Sequence, residues 1–174
     1  MPRAFDDLVF RAALGRFATG VIVLTAGPRR TPHAMTANAF MSGSLEPPLV
    51  VVSVGTKARM HARLATARRF GISILDEAQE PASRHFAGQT VAGFRPAFGE
   101  LAGVPVLAQA AVVIAARIKH RHRCGDHTLY VGEVQKLAVN DAAPPLLFYA
   151  GRYGMLEPFR EPLGRIPEPY PAFF

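Results

Sequence analysis

The apolar positions of the chain fall into two rhythms. Over residues 5–17, Phe5, Leu8, Val9, Ala12 and Phe17 recur at helical spacing, and Asp6 and Asp7 stand in the first turn, where the helix dipole favours carboxylates. The spacing predicts one amphipathic helix, ended by Gly20. Beyond it the rhythm shortens. Residues 21–25 form a continuous run rich in β-branched side chains, which predicts a buried strand. Gly27-Pro28-Arg29-Arg30 predicts a turn, and residues 33–40 a second strand folded back as a hairpin. Pro47-Pro48 fixes the entry to a third strand over 49–54. A short helix follows over 57–67 with Met60 and Leu64 on its inner face, then a strand over 70–75. Next comes a helix over about 80–86, with Pro81 tolerated in its first turn. Residues 88–109 are punctuated by Gly and Pro without sustained periodicity and predict a long surface excursion. Residues 111–123 and 128–139 predict two long antiparallel strands joined through Cys124-Gly125-Asp126-His127. Residues 146–149 make a last strand, closed by Gly151-Arg152-Tyr153.

Hairpins outweigh strand–helix–strand units, so the pattern predicts a mainly β domain with peripheral helices. Its natural form is an antiparallel barrel, closed or nearly closed, because closure removes exposed strand edges. This domain occupies residues 1–154. In the tail, residues 155–174, Pro158, Pro162, Pro167, Pro169 and Pro171 oppose regular structure, and Phe159, Tyr170, Phe173 and Phe174 suit contact with a surface.

Composition narrows the class. The 174 residues, 49% of them hydrophobic, suit a single core. No apolar run reaches the length of a membrane span, and the first residues lack the apolar stretch of a secretion signal. The single cysteine, Cys124, excludes an internal disulfide and suits a cytoplasmic protein. The net charge of +7 comes mostly from Arg, scattered as Arg11, Arg16, Arg59, Arg63, Arg68 and Arg69 rather than gathered in one tract. That pattern argues against nucleic acid and is compatible with a small phosphate-bearing ligand.

Most chemical motifs are missing. There is no glycine-rich phosphate loop and no nucleophile elbow. His120 and His122 share a strand face and with Cys124 and His127 resemble a zinc set, but Arg121 and Arg123 interleave them, as on a solvated face. Cys124 has no base that the sequence can assign to it. The stretch 36–57 is more informative. Thr36, Asn38, Ser42, Ser44 and Ser53 place short donors and acceptors at strand ends, and Lys57 falls at an expected helix start, an anion site. A ligand with a flat polar ring at one end and a phosphate at the other would match. The competing reading has these hydroxyls satisfying local backbone and Lys57 simply solvated.

Six segments in order then carry a resemblance: Phe10 to Val21, Thr36-Ala37-Asn38-Ala39-Phe40, Ser44 to Val50, Arg84-His85-Phe86-Ala87-Gly88, Gly125 to Val134 and Gly151-Arg152-Tyr153. Over about residues 8–154 the chain resembles the short-chain flavin reductases, the FMN-binding split-barrel family that includes reductase components of two-component flavin-dependent monooxygenases. The resemblance implies a homodimeric six-stranded split barrel, FMN or FAD as flavin, NADH or NADPH as electron donor, and delivery of reduced flavin to a partner monooxygenase. It also implies that Thr36, Ala37, Asn38 and Ala39 line the flavin with Ser53 beside them. Lys57 would lie near the flavin phosphate, and Arg84, His85 and Phe86 would border the flavin. His127 would be the catalytic residue on the nicotinamide side. Ala39, Gly43 and Glu46 depart from the family's usual Ser, Val and Asp, and Ala39 thereby loses one possible hydrogen bond to the flavin. Two other readings fit the same barrel: a flavoenzyme that keeps its flavin and acts on an organic substrate, and a non-catalytic flavin- or haem-binding module.

Overall fold

The structure, a computed structural model, describes residues 5–157, so most of the proline-rich tail lies outside the described residues. The elements are α1 (Asp7–Leu14), β1 (Thr19–Gly20), β2 (Ile22–Ala26), β3 (His33–Ala37), β4 (Phe40–Ser44), β5 (Leu49–Gly55), α2 (Arg59–Thr66), β6 (Arg69–Ile74), α3 (Glu80–Phe86), β7 (Phe98–Leu101), β8 (Val104–Leu107), β9 (Val112–Cys124), β10 (His127–Val139), β11 (Leu147–Tyr149) and β12 (Arg152–Gly154). The protein is mainly β, and no helix among the described residues is long and apolar enough to cross a membrane.

One antiparallel sheet dominates, in the order β3-β2-β6-β9-β10-β5-β4. Its two edge strands, β3 and β4, are consecutive in the chain and joined only by Asn38 and Ala39. Ala37 and Phe40 are three residues apart and so separated by at most about 10 Å. The sheet must therefore curl until its edges nearly meet, yet no ladder joins them. This corrects the expected six strands to seven in the main sheet. The predicted strand over 33–40 breaks at Asn38, where the chain leaves one edge for the other.

Alternation along the strands sorts the two faces. Val50, Val52 and Val54 of β5 are buried, whereas Val51, Ser53 and Gly55 are half-buried and face outward. On β10, Thr128, Tyr130 and Gly132 are buried and His127, Leu129 and Val131 are not. Ile22, Leu24, Phe70, Ile72, Ile114, Ala116 and Tyr130 fill the interior of the curl, and α2 inserts Met60 and Leu64, both fully buried. Arg121 points to the core side and caps α2: its Nε donates to Leu64 O at 3.2 Å and its Nη2 to Ala67 O at 2.6 Å. That fixed task satisfies carbonyls left open at the helix end.

Two further expectations change. The helix over 5–17 shrinks to α1, and none of its residues is buried; Leu8 is 78% and Phe17 77% exposed. Its apolar face has no partner within the described chain. The excursion over 88–109 contains the hairpin β7–β8, and all four residues of β8 are buried. Buried hydroxyls hold it down. Thr25 Oγ1 donates to Pro105 O, and Leu107 N donates to Ser73 Oγ at 2.8 Å. Four residues that include a proline and are buried on both faces present no period to detect.

Candidate active site

A groove of about 910 Å³ runs along the outer face of the main sheet. It is built by four regions far apart in the chain. Val51, Ser53 and Leu129 form part of the sheet wall, with Phe40 and Met41 on β4. Leu14, Gly15 and Arg11 come from the end of α1. Thr19 and Phe148 stand opposite each other on the β1–β11 ladder. Asn38 and Ala39, the link between the sheet edges, also line it. The volume is that of a site for a ligand of cofactor size, and the apolar walls suit a flat ring. Arg11 is the one charged lining residue, so the groove favours an anion.

Several polar groups of the lining residues lack partners among the described residues. Thr19 Oγ1 is buried and makes no hydrogen bond among the described residues. The amides of Asn38 and Ala39 donate to no carbonyl among the described residues, although Ala39 O accepts from Ser53 N at 3.0 Å and Asn38 O from Phe40 N at 2.9 Å. An unmade hydrogen bond at a buried hydroxyl costs about 1–3 kcal/mol, which a ligand with matching polar edges would offset. These groups fit a ring system with acceptors along one edge and apolar faces, as in a flavin.

The sequence-derived residues divide between the groove and its surroundings. Asn38, Ala39 and Ser53 line it. Thr36 and Ala37 end β3 just before it, and Thr36 Oγ1 turns away to donate to Ser83 O at 2.6 Å. Ser83 Oγ lies 2.8 Å from Tyr153 Oη, and Tyr153 packs against the lining ring of Phe148 at 5.3 Å. Arg84 stacks its guanidinium 4.8 Å over the Tyr153 ring and pairs with Glu80 at 2.6 Å. His85 and Phe86 pack edge to face and, with Phe94, make an aromatic cluster. Neither lines the groove, so α3 supports it through Ser83 and Tyr153. Lys57 is exposed, one residue ahead of the Ala58 that precedes α2, rather than inside a helix.

His127 stands one pleat beyond Leu129 on the same outward face, about 7 Å along β10. Its ring lies against Gly55: a Cβ built there would sit 3.6 Å from His127 Nε2. Nδ1 lies 2.8 Å from Asp126 Oδ1. With Nδ1–H donating to that carboxylate, Nε2 is left as a free acceptor over the outer face. Thr19, Arg11, Leu129, Phe148 and Tyr153 were not singled out as site residues from sequence. Thr19, Arg11, Leu129 and Tyr153 did fall within the segments that carried the family resemblance. Among the described residues, no group of three or more His, Cys, Asp or Glu side chains is arranged to hold a metal ion.

A curled antiparallel sheet with a partly apolar groove of cofactor size on its outer face, Arg11 being the charged residue that lines it, marks a small β protein whose groove suits a flat ring ligand. Comparison with known proteins narrows this. Residues 14–157 match the family model described as a flavin reductase like domain, and the chain belongs to that family. It is 46% identical over 153 residues to an NADH-dependent flavin reductase of a Rhodococcus species, covering 86% of each chain. The solved structure of flavin reductase PheA2 in its native state superposes with a TM-score of 0.84 at 42% identity, covering 88% of this chain and 99% of that one. The styrene monooxygenase flavin reductase of Pseudomonas putida S12 superposes at 0.78 with 38% identity, covering 85% and 97%.

Proposed function

We propose that the groove holds FMN or FAD, with the amides of Asn38 and Ala39 and the hydroxyl of Ser53 along the ring's polar edge and His127 beside the nicotinamide of the electron donor. The chain is an NADH-dependent flavin reductase. Its product, reduced flavin, serves a separate monooxygenase, as the name of the styrene monooxygenase relative indicates for that protein. The observation that carries this reading is the pair of unpartnered backbone donors, the amides of residues 38–39, in an apolar groove whose one charged lining residue among those described is Arg11.

The chemistry is a hydride transfer from the dihydropyridine to the flavin ring, which needs two flat rings in face-to-face contact and no side-chain base for the hydride itself. The protein's work is therefore positional. Val51, Met41 and Leu129 give one ring face an apolar bed, and the opposite side of the open groove admits the donor. Amide dipoles and Arg11 favour the negative charge that the reduced ring carries. Asp126 holds the His127 ring in one orientation. Lys57, which has no ion-pair partner among the described residues, would meet a flavin phosphate ahead of α2, and Arg84 and Phe86 would brace the Phe148 side of the groove, Arg84 through Tyr153 and Phe86 with His85 packed against it.

The seven-stranded sheet, with its edges tied by Asn38–Ala39, is read as a split barrel. The exposed apolar residues Leu14, Phe17 and Met41 line the groove, and a second copy of the chain is the cover that the family resemblance favours. Replacement of Phe17 by Glu would then give monomers in light scattering after gel filtration and weaker flavin binding, whereas an unchanged mass would reject this face as the dimer contact. The free, exposed Cys124 suits a reducing cytoplasm. The decisive assay follows NADH absorbance with and without added FMN or FAD. Turnover should require added flavin, and NADH consumption that ignores flavin would reject the assignment.

A further inference from the structure

Two sheets that share no ladder both supply walls of the groove. Thr19 and Phe148 belong to the small sheet β1-β11-β12, and Val51, Ser53 and Leu129 to the main one. Backbone pairing between the sheets therefore does not set the spacing of these walls. Asn38 and Ala39 directly follow β3, an edge strand laddered on one side only, to β2. Something else must hold that edge against the Phe148 side.

Ser83 joins the two. A serine inside a helix commonly faces solvent or bonds back to its own helix. Ser83 is fully buried in α3, and its Oγ lies 2.8 Å from Tyr153 Oη on β12. Its carbonyl oxygen accepts from Ala87 N within the helix turn at 3.0 Å and also from Thr36 Oγ1 at 2.6 Å. Thr36 stands two residues before Asn38. At the other end, the Tyr153 ring meets the Phe148 ring at 5.3 Å and 64°, and the Arg84 guanidinium stacks 4.8 Å over it. A continuous set of contacts thus runs from the Asn38–Ala39 link through Thr36, Ser83 and Tyr153 to Phe148. Alanine at position 83 would favour the helix and leave no buried hydroxyl to satisfy, so the task that remains for this hydroxyl is to hold Tyr153. Binding groups held in place by such neighbours need no rearrangement when the ligand arrives.

We propose that Ser83 and Tyr153 are positioning residues for the flavin: through Thr36 and Phe148 they fix the width of the groove between the Asn38–Ala39 amides and the Phe148 wall. This rests on the reading that the groove holds the flavin. Neither residue lines the groove, so both act through others.

Tyr153→Phe and Ser83→Ala each remove the Ser83–Tyr153 hydrogen bond without adding volume. The full chain is assayed for NADH oxidation with FMN and with FAD, and titrated with each flavin by fluorescence, below the temperature at which any variant unfolds. Flavin Kd and KM should rise about two- to tenfold, the worth of one hydrogen bond, with kcat at saturating flavin unchanged. Ser73→Ala is the control for mere loss of stability. Ser73 is also fully buried, and its hydroxyl accepts from Leu107 N on β8. That variant should lower Tm and leave flavin Kd within twofold of wild type. Thr36→Val opens the link from its other end. Combined with Tyr153→Phe, it should bind flavin no worse than the weaker-binding single variant, because either break frees the same wall. A flavin Kd within twofold of wild type in Tyr153→Phe or Ser83→Ala overturns the proposal. So does an equal rise in Ser73→Ala, or additive losses in the double variant. If wild type neither binds nor reduces FMN or FAD, the flavin reading itself falls, and this proposal with it. If wild type does both and the Tyr153 and Ser83 variants match it, the reductase reading stands and the positioning role alone is rejected.

Discussion

Gly132 packs tightly against the interior on a strand that also carries Leu129 of the groove wall. It lies on β10 three residues after Leu129, at the β-bulge opposite Ile118. A Cβ added there would sit 2.5 Å from Phe70 Cζ, 2.7 Å from Phe70 Cε1 and 2.9 Å from the Cβ of Ala116. Ordinary carbon contacts lie near 3.5–4.0 Å, so roughly 1 Å must be found. Phe70 and Ala116 are both fully buried and have nowhere to retreat. Overpacking of this kind costs about 1–3 kcal/mol. In a domain of this size, each kcal/mol lowers Tm by about 2–4 °C, so Gly132→Ala should lose about 2–12 °C. Thermal unfolding followed by circular dichroism measures it. Adding Phe70→Leu, which removes the clashing ring atoms, should cost less in the alanine background than in wild type, a favourable coupling readable from a double-mutant cycle. A Tm within 1 °C of wild type for Gly132→Ala, or simple additivity in the cycle, would refute the packing argument. Flavin affinity should fall with stability, because the strand that must shift carries Leu129 and His127.

Ala39→Ser restores a hydroxyl on the groove wall and should tighten FMN binding about two- to tenfold, the worth of one hydrogen bond, in a flavin-fluorescence titration; no gain would mean that residue 39 does not face the ring's polar edge. The partial burial of His33, followed by the nearby charges of Arg63 and Arg59, holds its pKa below the ordinary value of 6.5. The unfolded chain then binds the proton more readily than the native one. Stability from this group is therefore present at neutral pH and declines as pH falls through 6.5 toward the folded value. Urea unfolding at about pH 7.5 and 5.5 should show that decline in wild type and a smaller one in His33→Gln; equal slopes would refute it. Cys124, the single cysteine and exposed, lies directly across the ladder from His127, so NAD⁺ should slow its maleimide labelling; an unchanged rate at saturation would place the nucleotide elsewhere.

Much of the strand order was legible from period and punctuation. The runs around Val21–Thr25, Leu49–Val54 and the two long strands flanking Gly125 have side chains that only a pleated, half-buried surface accommodates, and the structure has strands there. The short polar stretch Thr36-Ala37-Asn38-Ala39 was legible as a candidate site because such residues do not belong in a core and are too apolar in context for a solvated loop. The hairpin β7–β8 was not legible, since a four-residue strand buried on both faces and broken by Pro105 has no rhythm.

By itself, then, the sequence determined where the longer strands lie and that residues 36–39 are unusual, but not the short strands β4, β7 and β8. The period of the side chains is a local property of the backbone and survives without knowledge of partners. Only the tertiary structure showed that the apolar face of α1 stays uncovered within the described chain, since that pattern records the need for a cover and not the cover's identity. Likewise, only the ladder that pairs Thr19 with Phe148, and the curl that brings the ends of β3 and β4 together, gather Arg11, Thr19, Asn38, Ser53, Leu129 and Phe148 around one groove. Contacts between residues more than a hundred positions apart depend on how the whole sheet closes, and no local window of the chain contains that information.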